Sequence, residues 1–341
     1  MEFGLMFSFI VNGEQTNLDA YREMDTLLPL AEELGFTSFH TTEHHFQSNG
    51  WAPSPLMVLA KAAGLTSTMR LATNILLVPL YHPLRLAEDL AVLDNLSEGR
   101  VSVGIAPGYA SEEFHAFAIP MAERVGRFEE AIDILQLAWK GEPFTWEGKY
   151  FSIPWAHLVP APVQETLPIW YGVSGPRLLE RAAERRVPVT ASPRHTISEL
   201  KAHFDRYGAV AAETGYVPDE RPVIREVFIA PTQEEAEAIA GPAITEMFSL
   251  YGLKSAQGER ALTNDAGELV THEGQVDFRT FSSRYVVGDP ESAIDQIRHL
   301  REEIDPTVLV CRMQLPGVST EHFERSLRMF ATEVMPAFGD S

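Results

Sequence analysis

The chain has 341 residues, and its 48 acidic against 27 basic side chains give a formal charge of −21. That balance excludes a nucleic-acid binder, which needs surplus Lys and Arg for phosphates, and it disfavours docking on an anionic membrane. Apolar residues at 45% and charged residues at 22% are a globular composition, and no apolar run is long enough to span a bilayer.

In chain order, short apolar runs alternate with stretches of 3.6-residue period. Phe3 to Phe7 reads as the first strand, and Asp19 to Leu34 as a helix stopped by Gly35. Phe36 to Thr41 is the second strand and Pro55 to Thr68 the next helix. Leu71 to Val78 is the third strand, ended by Pro79. A helix from Pro83 to Leu96 follows, with proline suited to its first turn. Val101 to Ile105 is the fourth strand, Glu123 to Trp139 a long helix, and Phe144 to Ile153 a small inserted hairpin. Pro168 to Gly172 and Pro176 to Arg185, then Val187 to Ala191 and Ile197 to Ala212, form the fifth and sixth strand–helix units. Val223 to Ala230 is the seventh strand, with a helix beginning at Gln233 and running to about Phe248. Thr307 to Cys311 is the eighth strand and Thr320 to Met335 the last helix.

Eight strand–helix units imply a parallel α/β sheet, and over this length a single (β/α)8 TIM barrel domain, residues 1–341. The competing doubly wound open sheet lacks its usual mark: no G-x-G-x-x-G follows the first strand, and no phosphate loop ending in Gly-Lys-Ser/Thr occurs. Residues 251–284 are polar and weakly periodic, and they read as a mobile lid loop before the last strand. The lone Cys311, in an apolar run, excludes an intrachain disulfide and a thiolate cluster and reads as a core thiol. Met1 to Ile10 has no basic leader-like start, which points to the cytoplasm.

In such barrels chemistry sits at the C-terminal ends of strands. There the chain places Thr42-Glu43-His44-His45-Phe46, Thr73-Asn74-Ile75, Ala106-Pro107-Gly108-Tyr109 and Val173-Ser174-Gly175-Pro176-Arg177. A glutamate with two histidines suits acid–base work near neutrality, but the same residues equally suit one packed and one surface histidine. No second cluster with ligand spacing supports a metal. Gly108 permits close backbone approach to a ligand. The turn at Ser174 suits either phosphate at a helix N-terminus or ordinary capping. Phe7, Phe9, Phe46, Trp51, Tyr109 and Trp155 are candidates for an apolar substrate pocket, with Phe7, Phe46 and Tyr109 foremost; several also suit the core.

These residues resemble a known family. The start Met1-Glu2-Phe3-Gly4-Leu5, the run Leu34-Gly35-Phe36, and Glu43-His44-His45-Phe46 are similar to bacterial luciferase-like flavin monooxygenases. So are His82-Pro83, Glu88-Asp89, Leu93-Asp94, Ser97-Glu98-Gly99-Arg100, Gly104-Ile105, Val287-Gly288-Asp289-Pro290 and Val334-Met335-Pro336. The likeness is collinear over nearly the whole chain. It implies reduced FMN (FMNH2) delivered by a separate flavin reductase, and O2 as co-substrate. A C4a-peroxyflavin then transfers one oxygen atom to an apolar or carbonyl-containing organic substrate.

The resemblance also implies roles. His44 manages protons, with Glu43 and His45 beside it as catalytic candidates. Glu43, Asn74, Ile75, Ala106, Val173, Ser174, Gly175 and Ser192 contact the cofactor, with a non-proline cis bond at Asn74-Ile75 and the phosphate near Ser174. Ala106 and Pro107 depart from the luciferase α subunits, which carry a cysteine and an arginine there; Arg177 is expected to replace that arginine's charge, and light emission is not expected. An F420-dependent oxidoreductase on the same barrel, or a non-catalytic flavin-binding subunit, are the alternatives. A homo- or heterodimer through the helix from Pro55 is expected.

Overall fold

A computed structural model of the chain describes residues 1–13, 15–256, 262–270 and 275–339. The first half contains β1 (Glu2–Phe7), α1 (Asn17–Glu33), β2 (Ser38–Thr41), α2 (Pro55–Leu65), β3 (Arg70–Leu77), α3 (Pro83–Leu96), β4 (Val101–Ala106), α4 (Ser111–Ala116), α5 (Arg124–Ala138), β5 (Phe144–Glu147), β6 (Ser152–Ala156) and β7 (Ile169–Gly172). The second half contains α6 (Pro176–Glu184), β8 (Val189–Thr190), α7 (Ile197–Glu213), β9 (Pro222–Ile229), α8 (Gln233–Ala256), β10 (Leu262–Thr263), β11 (Leu269–Val270), β12 (Tyr285–Gly288), α9 (Pro290–Ile304), β13 (Val308–Arg312) and α10 (Thr320–Met329). Among the described residues no helix is long and apolar enough to cross a membrane.

The elements gather into two compact units, Phe39–Gly172 and Met1–Ser38 with Val173–Ser341. In the first, β3 pairs in parallel with β4, and β4 with β7. In the second, β9 lies between β12 and β13, and β13 pairs with β1, all in parallel. Strand β8 runs beside the start of β9, where the Thr190 hydroxyl donates to the Pro222 carbonyl at 3.0 Å. Every residue of β4 and of β9 is buried, so both faces of these strands are covered, as parallel strands flanked by helices require.

Helix starts follow from local chemistry. Thr16 and Asp19 cap α1 reciprocally, and Thr196 and Glu199 do the same for α7. Pro83 opens α3 behind His82, whose ring accepts from Leu84 N at 3.3 Å, so His82 is a cap. Cys311 is fully buried, and burial pushes its thiol well up, as expected of a core residue.

The structure also differs from expectation. Helix α4 was not anticipated, because six residues carry too little period to stand out. Strand β12 is additional to the eight expected strands; its Tyr-Val-Val run follows directly on a polar stretch. The segment expected to be unpatterned is largely regular where described. Helix α8 continues through residue 256, β10 and β11 form a hairpin, and Phe278–Arg284 is a 3-10 turn. The remainder of that expected lid, residues 257–261 and 271–274, lies outside the described residues. In α2, Val58, Leu59, Ala62 and Ala63 turn inward while Met57 is exposed.

Candidate active site

The loop leaving β2 is held by the side chain of Glu43. Its carboxylate is buried and accepts three hydrogen bonds: from Leu77 N at 2.7 Å, from the Tyr81 hydroxyl at 2.8 Å, and from His45 Nε2 at 2.9 Å. Burial first, and then the neighbouring Glu43 carboxylate, push the Tyr81 phenol far up, so it stays a donor. Glu43 and His45 are thus committed to each other and to β3. The loop pays for its course in backbone strain, with Phe46 at φ 59° and Trp51 at φ 73°, unusual values for aromatic residues.

His44 is arranged differently. Its side chain keeps 16% of its surface exposed, and its ring lies edge-on to Trp51 (centroids 4.5 Å apart) and Tyr109 (6.3 Å). Its Nδ1 lies 3.7 Å from Glu113 Oε1, and the same carboxylate oxygen accepts from the His45 backbone N at 3.0 Å. Burial opposes ionisation of Glu113, but the neighbouring His44 ring and the hydrogen bond from the His45 backbone outweigh it and hold the carboxyl below its usual range. With Nδ1 turned toward Glu113, the other ring nitrogen, Nε2, is directed away from that carboxylate. Glu113 was missed because it stands on the short α4; two consecutive glutamates just beyond a strand exit were the available signal.

A second feature lies at the ends of β3 and β4. The peptide Asn74-Ile75 is cis, and the β3–β4 register shifts between Thr73 and Leu76. Small residues make room for Ile75: a Cβ on Gly104 would stand 3.1 Å from its Cδ1 and 2.3 Å from the Thr73 carbonyl oxygen, and one on Gly172 would stand 2.9 Å from that Cδ1. Ala106 closes the same floor, 3.6 Å from the Gly172 Cβ position. Gly104→Ala is therefore expected to lower stability by about 1–3 kcal/mol through overpacking against backbone, read as a lower urea midpoint at unchanged slope; an unchanged midpoint would show that the strand yields freely. Beside this floor both side-chain polar atoms of Asn74, and the Thr41 and Thr42 hydroxyls, are buried without a hydrogen-bond partner. Buried polar groups are rarely left so unless a ligand or water satisfies them.

Of the substrate candidates, Tyr109 and Phe46 are exposed, Phe46 beside Phe117 at 5.8 Å. Gly108 holds φ 76°, and a Cβ there would meet the Phe114 ring at 2.8 Å, so only glycine delivers Tyr109 in this way. Phe7 is a correction. It is fully buried in the other unit, packed on Phe9 and Phe323 as part of the core. Trp155 is exposed on β6.

The other unit carries a cavity of about 340 Å³ lined by Ser174, Ser192, Arg194, His195, Glu199, Ala202, His203 and Arg206. Ser174 and Ser192, expected to contact the cofactor, meet here. Ser174 does not cap α6: the cap is Gly175, which makes no side-chain bond. Val173 is buried, and neither it nor Gly175 lines the cavity. Arg177, expected to supply the cation, is exposed and outside the lining. The cations that line it are Arg194 and Arg206, with the stacked rings of His195 and His203 (6.2 Å, 20°). The signal for them was Arg194-His195 directly after Ser192-Pro193, and His203 and Arg206 one turn apart on a helix.

The family model described as luciferase-like monooxygenase matches residues 1–305. The chain belongs to that family. Among its curated relatives is the flavin-dependent trigonelline monooxygenase, oxygenase component, of Acinetobacter baylyi, 28% identical over 97% of this chain and 93% of that protein. The F420-dependent glucose-6-phosphate dehydrogenase of Microbacterium testaceum is 27% identical over 98% of both. Among solved structures, monooxygenase RslO1 of Streptomyces bottropensis superposes with a TM-score of 0.87 at 26% identity, covering 99% of this chain and 100% of that one. The oxygenating constituent of 3,6-diketocamphane monooxygenase of Pseudomonas putida, solved in complex with FMN, superposes with a TM-score of 0.83 at 23% identity, covering 99% and 98%. The fold of this luciferase-like chain is therefore α/β with a parallel sheet, like its TIM-barrel neighbours, and the general reaction of its relatives is flavin-dependent oxygenation, with F420-dependent members alongside.

Proposed function

We propose that the chain is the oxygenase component of a two-component flavin monooxygenase on a (β/α)8 barrel. It would take reduced FMN from a separate reductase and use O2 to place one oxygen atom in an apolar or carbonyl-containing organic substrate. The observation that carries this reading is the His44 imidazole, set between Trp51 and Tyr109 with its Nδ1 toward the ionised, buried Glu113. The Acinetobacter relative, an oxygenase component, and the FMN in the Pseudomonas structure support it.

The residues present fit such a cofactor in chemical kind. The amide of Asn74 offers both a donor and an acceptor, matching the alternating polar edge of a flavin ring, and Ile75 with the small residues Gly104, Ala106 and Gly172 gives an apolar bed. Arg194, Arg206, Ser174 and Ser192 suit a phosphate. Bound and reduced, FMN would supply the electrons that activate O2. His44 holds or moves a proton at Nε2, while Glu113 faces its Nδ1 and fixes the direction of the ring. Trp51 and Tyr109 limit water around that ring.

An F420-dependent hydride transfer is the second reading, favoured by the Microbacterium relative. Fluorescence titration with FMN, riboflavin and F420, followed by O2 uptake with reduced FMN, separates the two. Tight FMN binding with O2 consumption supports oxygenation; binding of F420 alone supports the second reading, and FMN binding without O2 consumption supports a non-catalytic subunit. A panel for substrate class is set by the relatives' names: a diketocamphane and trigonelline. Arg206→Gln is expected to weaken FMN ten- to a hundredfold, about 1.5–3 kcal/mol for a charge-assisted bond, while Arg177→Ala leaves it unchanged. The reverse pattern would return the phosphate to the start of α6.

A further inference from the structure

The cavity with Ser174, Ser192 and Arg194 is built around two guanidinium groups that do not line it as candidates for the ligand. Arg284, at the end of the 3-10 turn, is fully buried. Its Nε donates to the Arg194 carbonyl at 2.5 Å, its Nη2 to the Thr263 carbonyl at 2.5 Å, and its Nη1 to Asp265 Oδ1 at 2.9 Å. Its guanidinium also stands over the Phe281 ring, 4.9 Å from the centroid, and 3.8 Å from Glu199 Oε2. Arg225, equally buried, donates to the next carbonyl along, that of His195, at 3.3 Å. Two consecutive carbonyls of the turn that carries Arg194 and His195 are thus each fixed by a buried cation.

The same guanidinium gathers the segment before it. Asp265 accepts from the Ser282 hydroxyl at 2.9 Å, from Ser283 N at 3.0 Å and from the Ser283 hydroxyl at 2.6 Å, and the Thr263 hydroxyl donates to Glu199 Oε1 at 3.2 Å. Glu199 both caps α7 and lines the cavity. The β10–β11 hairpin, the 3-10 turn and the cavity turn therefore share one hub. A planar fork with five donors can serve three acceptors at once; an ammonium cannot hold them in the same directions.

We propose that Arg284 is a positioning residue for anion binding in this cavity. By fixing the Arg194 carbonyl it sets the course of the turn that presents Arg194 and His195, and it ties that turn to residues 262–270 and 275–284. Anion binding and the seating of those residues are then linked, each favouring the other. This rests on reading the cavity as the seat of the cofactor's phosphate.

The test compares FMN with riboflavin, which lacks the phosphate, by quenching of flavin fluorescence on titration with protein. The wild-type protein is expected to prefer FMN by tenfold or more. Arg284→Gln should lose at least tenfold in FMN affinity with riboflavin affinity held within twofold, and Arg284→Lys should fall between. In parallel, trypsin cuts after Arg279, whose side chain is 82% exposed. FMN should slow that cut in the wild-type protein and not in Arg284→Gln. A preference for FMN kept in full by Arg284→Gln overturns the inference alone. No preference in the wild-type protein overturns the phosphate reading and the inference with it. Should Arg284→Gln fail to fold, Asp265→Asn loosens the same fork from its outer side, and a reduced FMN preference supports the proposal where an unchanged one refutes it.

Discussion

Glu43→Ala is expected to cost about 3–5 kcal/mol of folding stability, because it leaves buried donors without their acceptor. The Leu77 amide, the Tyr81 hydroxyl and the His45 ring all converge on this one carboxylate. The Leu77 amide belongs to a buried residue of β3, and burial keeps the half-buried Tyr81 phenol a donor, so both still need an acceptor once the carboxylate is gone. Glu43→Gln keeps the shape but turns an NH2 toward a donor, so an intermediate loss is expected, and Tyr81→Phe, which removes one donor and leaves two bonds, should cost about 1 kcal/mol. Urea unfolding followed by far-ultraviolet circular dichroism gives all three. A loss below about 1 kcal/mol for Glu43→Ala would mean that the loop after β2 is held by something other than this carboxylate.

That prediction also marks what the sequence made legible. The strand–helix alternation was readable because β4 and β9 are short, mostly apolar runs and α3 opens on proline. The loop Thr42 to Phe46 stood out because two histidines and a glutamate follow a strand. What the sequence withheld was direction. Nothing in Glu43-His44-His45 says that the first and third side chains bind one another while the second turns to a residue 69 positions away; adjacent side chains diverge, and which one turns inward is decided by Leu77 and Tyr81. Arg177, expected as the phosphate's cation, lies outside the cavity lining for a similar reason. On a helix, position two past the cap faces wherever the helix axis sends it, and the cavity cations come instead from the β8 exit and from α7. Arg284 reads in sequence as the end of a polar stretch, and its burial is visible only once Thr263, Asp265 and the Arg194 carbonyl are seen around it.

His44→Ala is expected to slow product formation 10²- to 10⁴-fold, the usual span for loss of a positioned acid–base group, with FMN affinity within about twofold. The measurement is a single turnover with reduced FMN, O2 and whichever panel compound is accepted, scoring product against hydrogen peroxide. A proton carrier should shift that split toward peroxide, whereas a merely structural residue would lower FMN binding and stability together. Glu113→Gln tests the pairing. It removes the charge facing Nδ1 but keeps an acceptor for the His45 amide, so it should slow product formation less than His44→Ala does. Its stability cost carries a signature in pH. Against the pull of burial, the nearby His44 ring and the hydrogen bond from the His45 backbone hold the Glu113 carboxyl below its ordinary range. A group whose folded pKa is depressed contributes stability above its unfolded pKa and loses it as pH falls through the folded value. The gap between wild type and Glu113→Gln should therefore be full at neutral pH and close on acidification through the carboxylate range. A gap that stays constant into acid would mean that Glu113 contributes shape alone, and the charge proposed to face His44 would have no part in its chemistry.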